Sequence, residues 1–418
     1  MEDSRNRPPA FGQALRVWLK IGCIGFGGPS GQIALLHRET VEQRAWIGEE
    51  EFARALKFCM LLPGPEAQQL ATWIGWRLHG IRGGIAAGAL FVLPAALLLW
   101  ALGLVYMLGQ DLPAVHGFFD GIKPVVVALV FSALWKIGRR MISSPVLGGI
   151  AAVSLALFFA GTPYPWVVFA VGLLGAFLLK GESASQGPVS SGRSILGPML
   201  AIPALWAAPV MTLGVWLGWS SVPVRVALLY AKAAVLSFGG AYAALSYVSF
   251  HASGDWGWLT PGQMMDGIGL AETTPGPLLI ALQFIAFVAA WQQPGTLSPI
   301  FSATLASGAA VWSLFLPSFL WIFALAPRMD RMASNRRMAG ALSAIGAVVT
   351  AVIAKLALWF AAGLVLHVGT PSGFHVRWVP LAMVLTAWLL LRSGRLGIIP
   401  VILLGGGIGI LLSLGGIR

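Results

Sequence analysis

Nine residues of this chain occur twice in register. Lys20, Phe26, Gly27, Gly28, Trp46, Pro63, Gly64, Pro65 and Leu70 recur as Lys232, Phe238, Gly239, Gly240, Trp258, Pro275, Gly276, Pro277 and Leu282, each pair separated by 212 residues. Most of them are residues that interrupt helices, and one carries a charge. Both kinds are poorly tolerated in apolar surroundings, yet both stand inside long apolar stretches. A fold for this chain must therefore contain two related units, each broken at the same places. Duplicated helix breaks in a hydrophobic chain point to a transport site between two halves.

The solvent follows from composition. With 57% hydrophobic and 10% charged residues and a mean hydropathy of +0.82, a water-soluble globule would expose far too much apolar surface. The apolar runs are continuous, where strands of a membrane barrel would alternate, so the chain reads as an all-α polytopic membrane protein. Apolar stretches fall at residues 11–36, 51–76, 83–109, 121–138, 145–160 and 163–180, then 199–219, and then 223–250, 263–290, 299–326, 339–367, 378–391 and 396–415. This is about 13 transmembrane spans at roughly 20 residues per crossing. The organisation expected is an N-terminal repeat at 1–180, a linker at 181–222 carrying one extra span, and a C-terminal repeat at 223–418. The linker opens with a Gly-, Ser- and Pro-rich segment from Gly181 to Pro198.

Direction comes from charge. Met1 to Pro9 is polar and basic without a secretory leader, which sets the N-terminus in the cytoplasm. From that start Arg77, Arg82, Lys136, Arg139, Arg140, Lys180, Arg193, Arg328, Arg331, Arg336 and Arg337 fall inside, and Asp111 and Asp120 outside. The odd span at 199–219 makes the second copy enter from the opposite face. The expectation is an inverted-topology repeat of two six-helix halves, the plan that gives a carrier two related conformations. The net charge of +12 is spread over short loops and speaks for the inner membrane, not for nucleic acid. Cys23 and Cys59 read as space-filling thiols, and the six histidines lack metal-ligand spacing, so no metal and no cofactor are expected.

The chemistry concentrates at four breaks. Gly25 to Pro29 and Pro63 to Pro65 interrupt the first two spans near mid-depth, and Ser237 to Gly240 and Thr274 to Pro277 match them. A break frees backbone amides and carbonyls that must meet protein, water or a ligand. Pro65 and Pro277 suit the first position of a new half-helix, whose free amides and positive dipole end form an anion site. Close helix packing at the glycines is the competing explanation. Lys20 and Lys232, six residues before their glycine breaks, face a polar cavity or snorkel, and Arg16, Arg54, Lys57 and Arg225 add positive charge. Glu66 and Glu272 are candidates for coupling protons to anion movement; a structural ion pair, such as Glu66 with Lys57, is the alternative. Gln68, Gln69 and Gln283 can hydrogen-bond an oxyanion or the broken backbone. The polar stretch from His37 to Glu51 reads as a solvated loop with Trp46 at the interface.

At these residues the chain resembles the long-chain form of the chromate ion transporter family. GFGGPSGQIALLHRE at 25–39 and LLPGPEAQQLATWIGWRLHG at 61–80 are similar to its first-half signature, and SFGGAY at 237–242 and GLAETTPGPLLIALQF at 269–284 to its second. FVLP at 91–94 and LFLP at 314–317 extend the likeness over nearly the whole chain; the stretch His251 to Gly254 departs from it. The resemblance implies a permease that exports chromate using the proton gradient. It puts functional weight on Phe26, Gly27, Gly28, Pro29, Pro63, Gly64, Pro65, Glu66, Gln68 and Gln69. In the second half the weight falls on Phe238, Gly239, Gly240, Tyr242, Glu272, Thr273, Thr274, Pro275, Gly276 and Pro277. The reading is a transporter of chromate or a related oxyanion in the lipid bilayer, not an enzyme, and compatible with a homodimer. A sulfate or other oxyanion transporter or exchanger, an anion channel and an intramembrane reductase are the rivals; the last lacks a cofactor motif and a thiol pair.

Overall fold

The structure, a computed structural model, describes residues 9–179, 196–238, 240–329, 335–367 and 375–415. Gly239, Lys180, Arg193, Arg331 and most of the Gly181–Pro198 segment lie outside these residues. The first half comprises α1 (Phe11–Ile24), α2 (Gly28–His37), a π-helical turn (Arg38–Glu42), α3 (Glu49–Leu61), α4 (Glu66–Leu108), α5 (Pro113–Met141), α6 (Pro145–Phe159) and α7 (Tyr164–Leu178). After α8 (Leu196–Leu217), the second half comprises α9 (Val222–Leu236), α10 (Ala241–Phe250), a π-helical turn (His251–Asp255) and α11 (Pro261–Thr273). It continues with a 3-10 turn (Leu278–Ile280), α12 (Ala281–Gln292), α13 (Pro299–Leu325), α14 (Arg336–Val365), α15 (Trp378–Ser393) and α16 (Ile398–Leu414).

Among the described residues, five helices are long and apolar enough to cross a membrane: Glu66–Leu108, Pro113–Met141, Met199–Leu217, Pro299–Leu325 and Arg336–Val365. The short ones are equally informative. α1, α2 and α3 have 14, 10 and 13 residues, and α9, α10 and α11 have 15, 10 and 13. None reaches the roughly 20 residues a crossing needs. The long stretch 11–36, expected as one interrupted span, is two helices meeting at Gly25 to Gly27.

In α4 the stretches expected as separate spans, 51–76 and 83–109, meet at a tight turn. Its 43 residues contain a reversal at His79 and Gly80, where Gly80 takes φ 64°. Gly75 packs on Gly83 and Ala87, and Gly84 and Gly88 lie against Thr72, so the two arms run antiparallel in close contact. Glycine is required where backbones approach this closely.

The duplication carries through to the elements. α3 and α11 begin and end 212 residues apart, at 49 and 261 and at 61 and 273, and α1 and α9 end 212 apart, at Ile24 and Leu236. Both copies of the α2-type helix have 10 residues and run into a five-residue π-helical turn. The π-turn of the first half overturns the solvated-loop reading locally: Glu39 and Thr40 are wholly buried, and Trp46 packs edge-on against buried Trp18.

Packing between the halves is reciprocal. α16 lies on α5, with Gly117 against Ser413 and Gly409, Gly121 against Gly409 and Gly405, and Val125 against Gly405, so the two run antiparallel. α7 lies on α14 in the same way, Gly172 against Ile345 and Gly175 against Gly340 and Ala344. α5 and α14, at equivalent places in the two halves, touch at Gly138 with Thr350 and at Met141 with Gly346, again antiparallel. These seams leave no room for a side chain. Gly121→Leu is expected to cost about 1–3 kcal/mol through overpacking, read as a lower unfolding midpoint in detergent. Gly407, on the same helix as Gly409 but with open space around it, gives the control: Gly407→Leu is expected to stay within about 0.5 kcal/mol.

Candidate anion site

The four breaks meet as two crossed pairs. The Gly276 amide donates to the Gly25 carbonyl at 2.9 Å, and the Gly64 amide donates to the Ser237 carbonyl at 3.2 Å. These are the same bond twice, because Gly25 and Ser237 are 212 residues apart, as are Gly64 and Gly276. Within each break the local turns also match: Phe26 N to Ile24 O and Phe238 N to Leu236 O at 2.9 Å, Leu62 N to Cys59 O at 3.1 Å and Thr274 N to Ala271 O at 3.3 Å. Each half is thus closed by the other.

Glycine is needed here for its backbone. Gly64 and Gly276 take φ 123° and 110°, and a Cβ on Gly276 would collide with Ala95, one on Gly64 with the Gln69 amide and Ser318 Oγ. Gln32 reinforces one crossing, donating from Nε2 to the Gly25 carbonyl at 3.2 Å and to the Gly276 carbonyl. Gln69 donates to the Pro63 carbonyl at 2.7 Å in the other. The carbonyls of Gly25, Pro63, Ser237 and Gly276 and the amides of Gly64 and Gly276 are therefore paired within the protein.

What remains open lies just beyond the breaks. α2, α4, α10 and the 3-10 turn before α12 all begin without a side-chain cap, at Gly27, Pro65, Gly240 and Pro277. Pro65 and Pro277 stand at the cap position, one residue before the first-turn position expected from sequence, so the uncapped amides begin at Glu66 and Leu278. Gln68, wholly buried in the first turn of α4, has no hydrogen-bond partner for either amide atom, and Gln69 Oε1, Gln32 Oε1 and Ser318 Oγ are likewise unpaired among the described residues. Buried polar groups in this condition call for water or a ligand. In the second half, Tyr242 donates its hydroxyl to Glu272 Oε1 at 3.2 Å, and the Thr273 and Thr274 hydroxyls turn back onto Leu270 and Ala271 carbonyls. Gln283 is drawn to Ala96 and Ser307, each at 2.8 Å, and serves the scaffold. Phe26 lines a separate cavity of about 390 Å³ with Ile24, Gly31, Leu35, Arg38 and Glu42. Phe238, Gly240, Pro275 and Pro277 line the breaks, and Gly28 and Pro29 open α2.

The lysines behave differently from one another. Lys20 Nζ bonds Glu39 Oε1 at 2.8 Å, and Arg44 reaches Glu39 Oε2 at 2.7 Å. Burial opposes the Glu39 charge, but the Lys20 hydrogen bond and the Arg44 charge hold its carboxyl below the ordinary range. Lys232 is exposed, with no side-chain partner among the described residues. Glu66 forms no ion pair with Lys57; the nearby positive charge is Arg140, which also reaches Met60 Sδ at 3.1 Å. At the 212-residue offset the acidic and phenolic residues have no like counterparts: Glu272 answers to Met60, Tyr242 to Ser30, Glu66 to Leu278 and Asp266 to Arg54.

Sequence reasoning passed over one polar cluster, Tyr106, Lys123 and Asp266, which the fold assembles from α4, α5 and α11. The signal was present, since Lys123 and Asp266 are opposite charges inside apolar stretches.

Broken helices, glycine seams and buried unpaired amides in a chain of this hydropathy define a multi-pass helical membrane protein. The family model described as chromate transporter matches residues 12–176 and 224–410, and the chain belongs to that family. It is 34% identical over 353 residues to the chromate transport protein of Pseudomonas aeruginosa, covering 83% of this chain and 80% of the relative. It is 28% identical over 381 residues to the chromate transport protein of Cupriavidus metallidurans, covering 90% and 87%. The Bacillus subtilis transporter YwrB matches over 155 residues at 29% identity, 37% of this chain but 75% of the relative. No solved structure matches.

Two outcomes test this geometry. Gln32→Leu is expected to destabilise the protein by about 1–3 kcal/mol, because two buried carbonyls lose a donor, measured as the unfolding midpoint in detergent. His37 bonds Glu49 at 2.7 Å and Glu42 at 3.0 Å, and the Glu49 hydrogen bond raises its pKa above 6.5. The folded state holds the proton more tightly, so this stabilisation is complete below 6.5 and lost as pH rises through the raised value. The stability difference between wild type and His37→Gln is expected to shrink as pH rises above 6.5.

Proposed function

We propose that this chain is a secondary active transporter that exports chromate across the inner membrane, driven by the proton gradient. The observation that carries the proposal is the crossed clasp, Gly276 to Gly25 and Gly64 to Ser237, which binds two copies of one broken unit around shared half-helix ends. Relatives named chromate transport protein support the substrate. The antiparallel contact of α5 with α14 supports an inverted repeat of about 13 spans, with halves at 1–180 and 223–418 and the extra span between them. A half-length match to YwrB supports a unit that exists singly.

In this reading the uncapped amides from Glu66 onward and the unpaired Gln68 amide hold the oxyanion, at the positive end of α4. Gly27, Gly28, Gly64, Gly240 and Gly276 supply the turns that let the half-helices approach. Glu66 and the Tyr242–Glu272 pair exchange protons as the anion passes, since a charged carboxylate beside the oxyanion repels it and a protonated one does not. Lys20 acts through Glu39 as a positioning residue. Basic loops on the cytoplasmic side set the orientation.

The test is chromate transport into proteoliposomes with an imposed pH gradient, with sulfate as competitor. Gln68→Leu is expected to weaken chromate affinity by about tenfold, the effect of one lost hydrogen bond to a charged group. Glu66→Gln and Glu272→Gln are expected to flatten the pH dependence of transport. Unchanged pH dependence in both removes the coupling roles, complete protection by equimolar sulfate assigns a general oxyanion carrier, and flux that never exceeds the gradient assigns a channel.

A further inference from the structure

On a different face of α11 from the Tyr242–Glu272 pair, a cavity of about 240 Å³ is lined by Tyr106, Gln110, His116, Lys123, Gln263 and Asp266. Asp266 lies on its wall with 3% of its surface exposed. Tyr106, near the end of α4, donates to Asp266 Oδ2 at 3.0 Å, while Oδ1 has no hydrogen-bond partner. Lys123 of α5 stands between two carboxylates, 2.7 Å from Asp120 Oδ1 and 3.9 Å from Asp266 Oδ1. The other groups facing the cluster are His116 of α5 and, by its charge on Lys123, Arg377 ahead of α15. α12 and α16, which also pack on α11, contain no charged residue, and the Lys355 ammonium of α14 is committed to the Phe158 carbonyl.

We infer that Asp266 is a proton-loading site facing this cavity, with Lys123 exchanging partners between Asp120 and Asp266. One lysine cannot neutralise two carboxylates, so Lys123, Asp120 and Asp266 together carry one excess negative charge, with Asp120 exposed at the outer end and Asp266 buried at the inner one. A proton taken from cavity water onto Asp266 Oδ1 makes a neutral carboxyl, leaves Lys123 with Asp120 and brings the cluster to zero. Release of that proton restores the carboxylate and draws Lys123 across to it. The ligand is thus a proton, and the moving part is a side chain that ties α5, packed in the glycine seams, to α11. α11 ends at Thr273 and passes directly into Thr274 to Pro277, the break that clasps Gly25. Proton occupancy at Asp266 therefore bears on the clasp two turns away.

This inference rests on the proton-driven reading above. The experiment measures protons moved per chromate in proteoliposomes of the full chain, with an internal pH dye and chromate flux recorded together. Wild type is expected to move protons with chromate; Asp266→Asn is expected to lower the proton-to-chromate ratio by about tenfold, and Asp266→Glu to restore at least half of it. A wild-type ratio in Asp266→Asn overturns the inference while leaving the parent reading intact. Absence of proton movement in wild type overturns both. If Asp266→Asn gives no folded protein, Lys123→Gln and Tyr106→Phe decide: a lowered ratio in both upholds the site, and a wild-type ratio in both overturns it.

Discussion

The backbone bond made twice, once between Gly276 and Gly25 and once between Gly64 and Ser237, is the constraint on which the rest depends. A helix that stops inside a bilayer leaves polar groups with nothing to pair with, at several kcal/mol each. Here a carbonyl freed by the first break in one half meets an amide freed by the second break in the other. Neither half satisfies these positions alone, so the two fold as one body. Proline and glycine at the breaks follow from that bond: the positive φ at Gly64 and Gly276 aims the amide across the interface, and Ala95 and Ser318 close the space a side chain would need.

Around the clasp, two kinds of helix divide the work. The long helices α5 and α14, with α7 and α16 laid on them, are joined through glycine seams that admit no side chain. The short helices α1 to α3 and α9 to α11 carry Gln32, Tyr242, Asp266 and Glu272. Contacts along the seams resist change because any shift creates overlap, whereas the short helices are held by a few hydrogen bonds whose partners can exchange. Lys123, within reach of Asp120 and Asp266, is one such place.

Much of this was legible in the sequence. The breaks at Gly25 to Gly28 and Pro63 to Pro65 and their copies were readable because glycine and proline act locally, on their own backbone. The pairing of one break with the other half was not, since Gly25 and Gly276 are far apart in sequence and nothing in either residue names its partner. The same distance hid the Tyr106, Lys123 and Asp266 cluster. The partner of Lys20 was hidden for a related reason: Glu39 belongs to a stretch polar enough to look solvated, yet the π-helical turn folds that carboxylate inward between Lys20 and Arg44. The turn between the spans at 51–76 and 83–109 was readable from Arg77 and Arg82, charges that end one apolar run before the next begins, and the structure places it at His79 and Gly80.

The two halves share a backbone plan but not a chemistry. Met60 stands where the second half has Glu272, Ser30 where it has Tyr242, and Leu278 where the first has Glu66. A device with a perfect twofold would rest equally on either side, whereas unlike side chains at equivalent places tilt the balance. A bias of about 1.4 kcal/mol is already a tenfold difference in population. The duplication supplies two like backbone frames, and the unlike side chains at equivalent places make them chemically distinct.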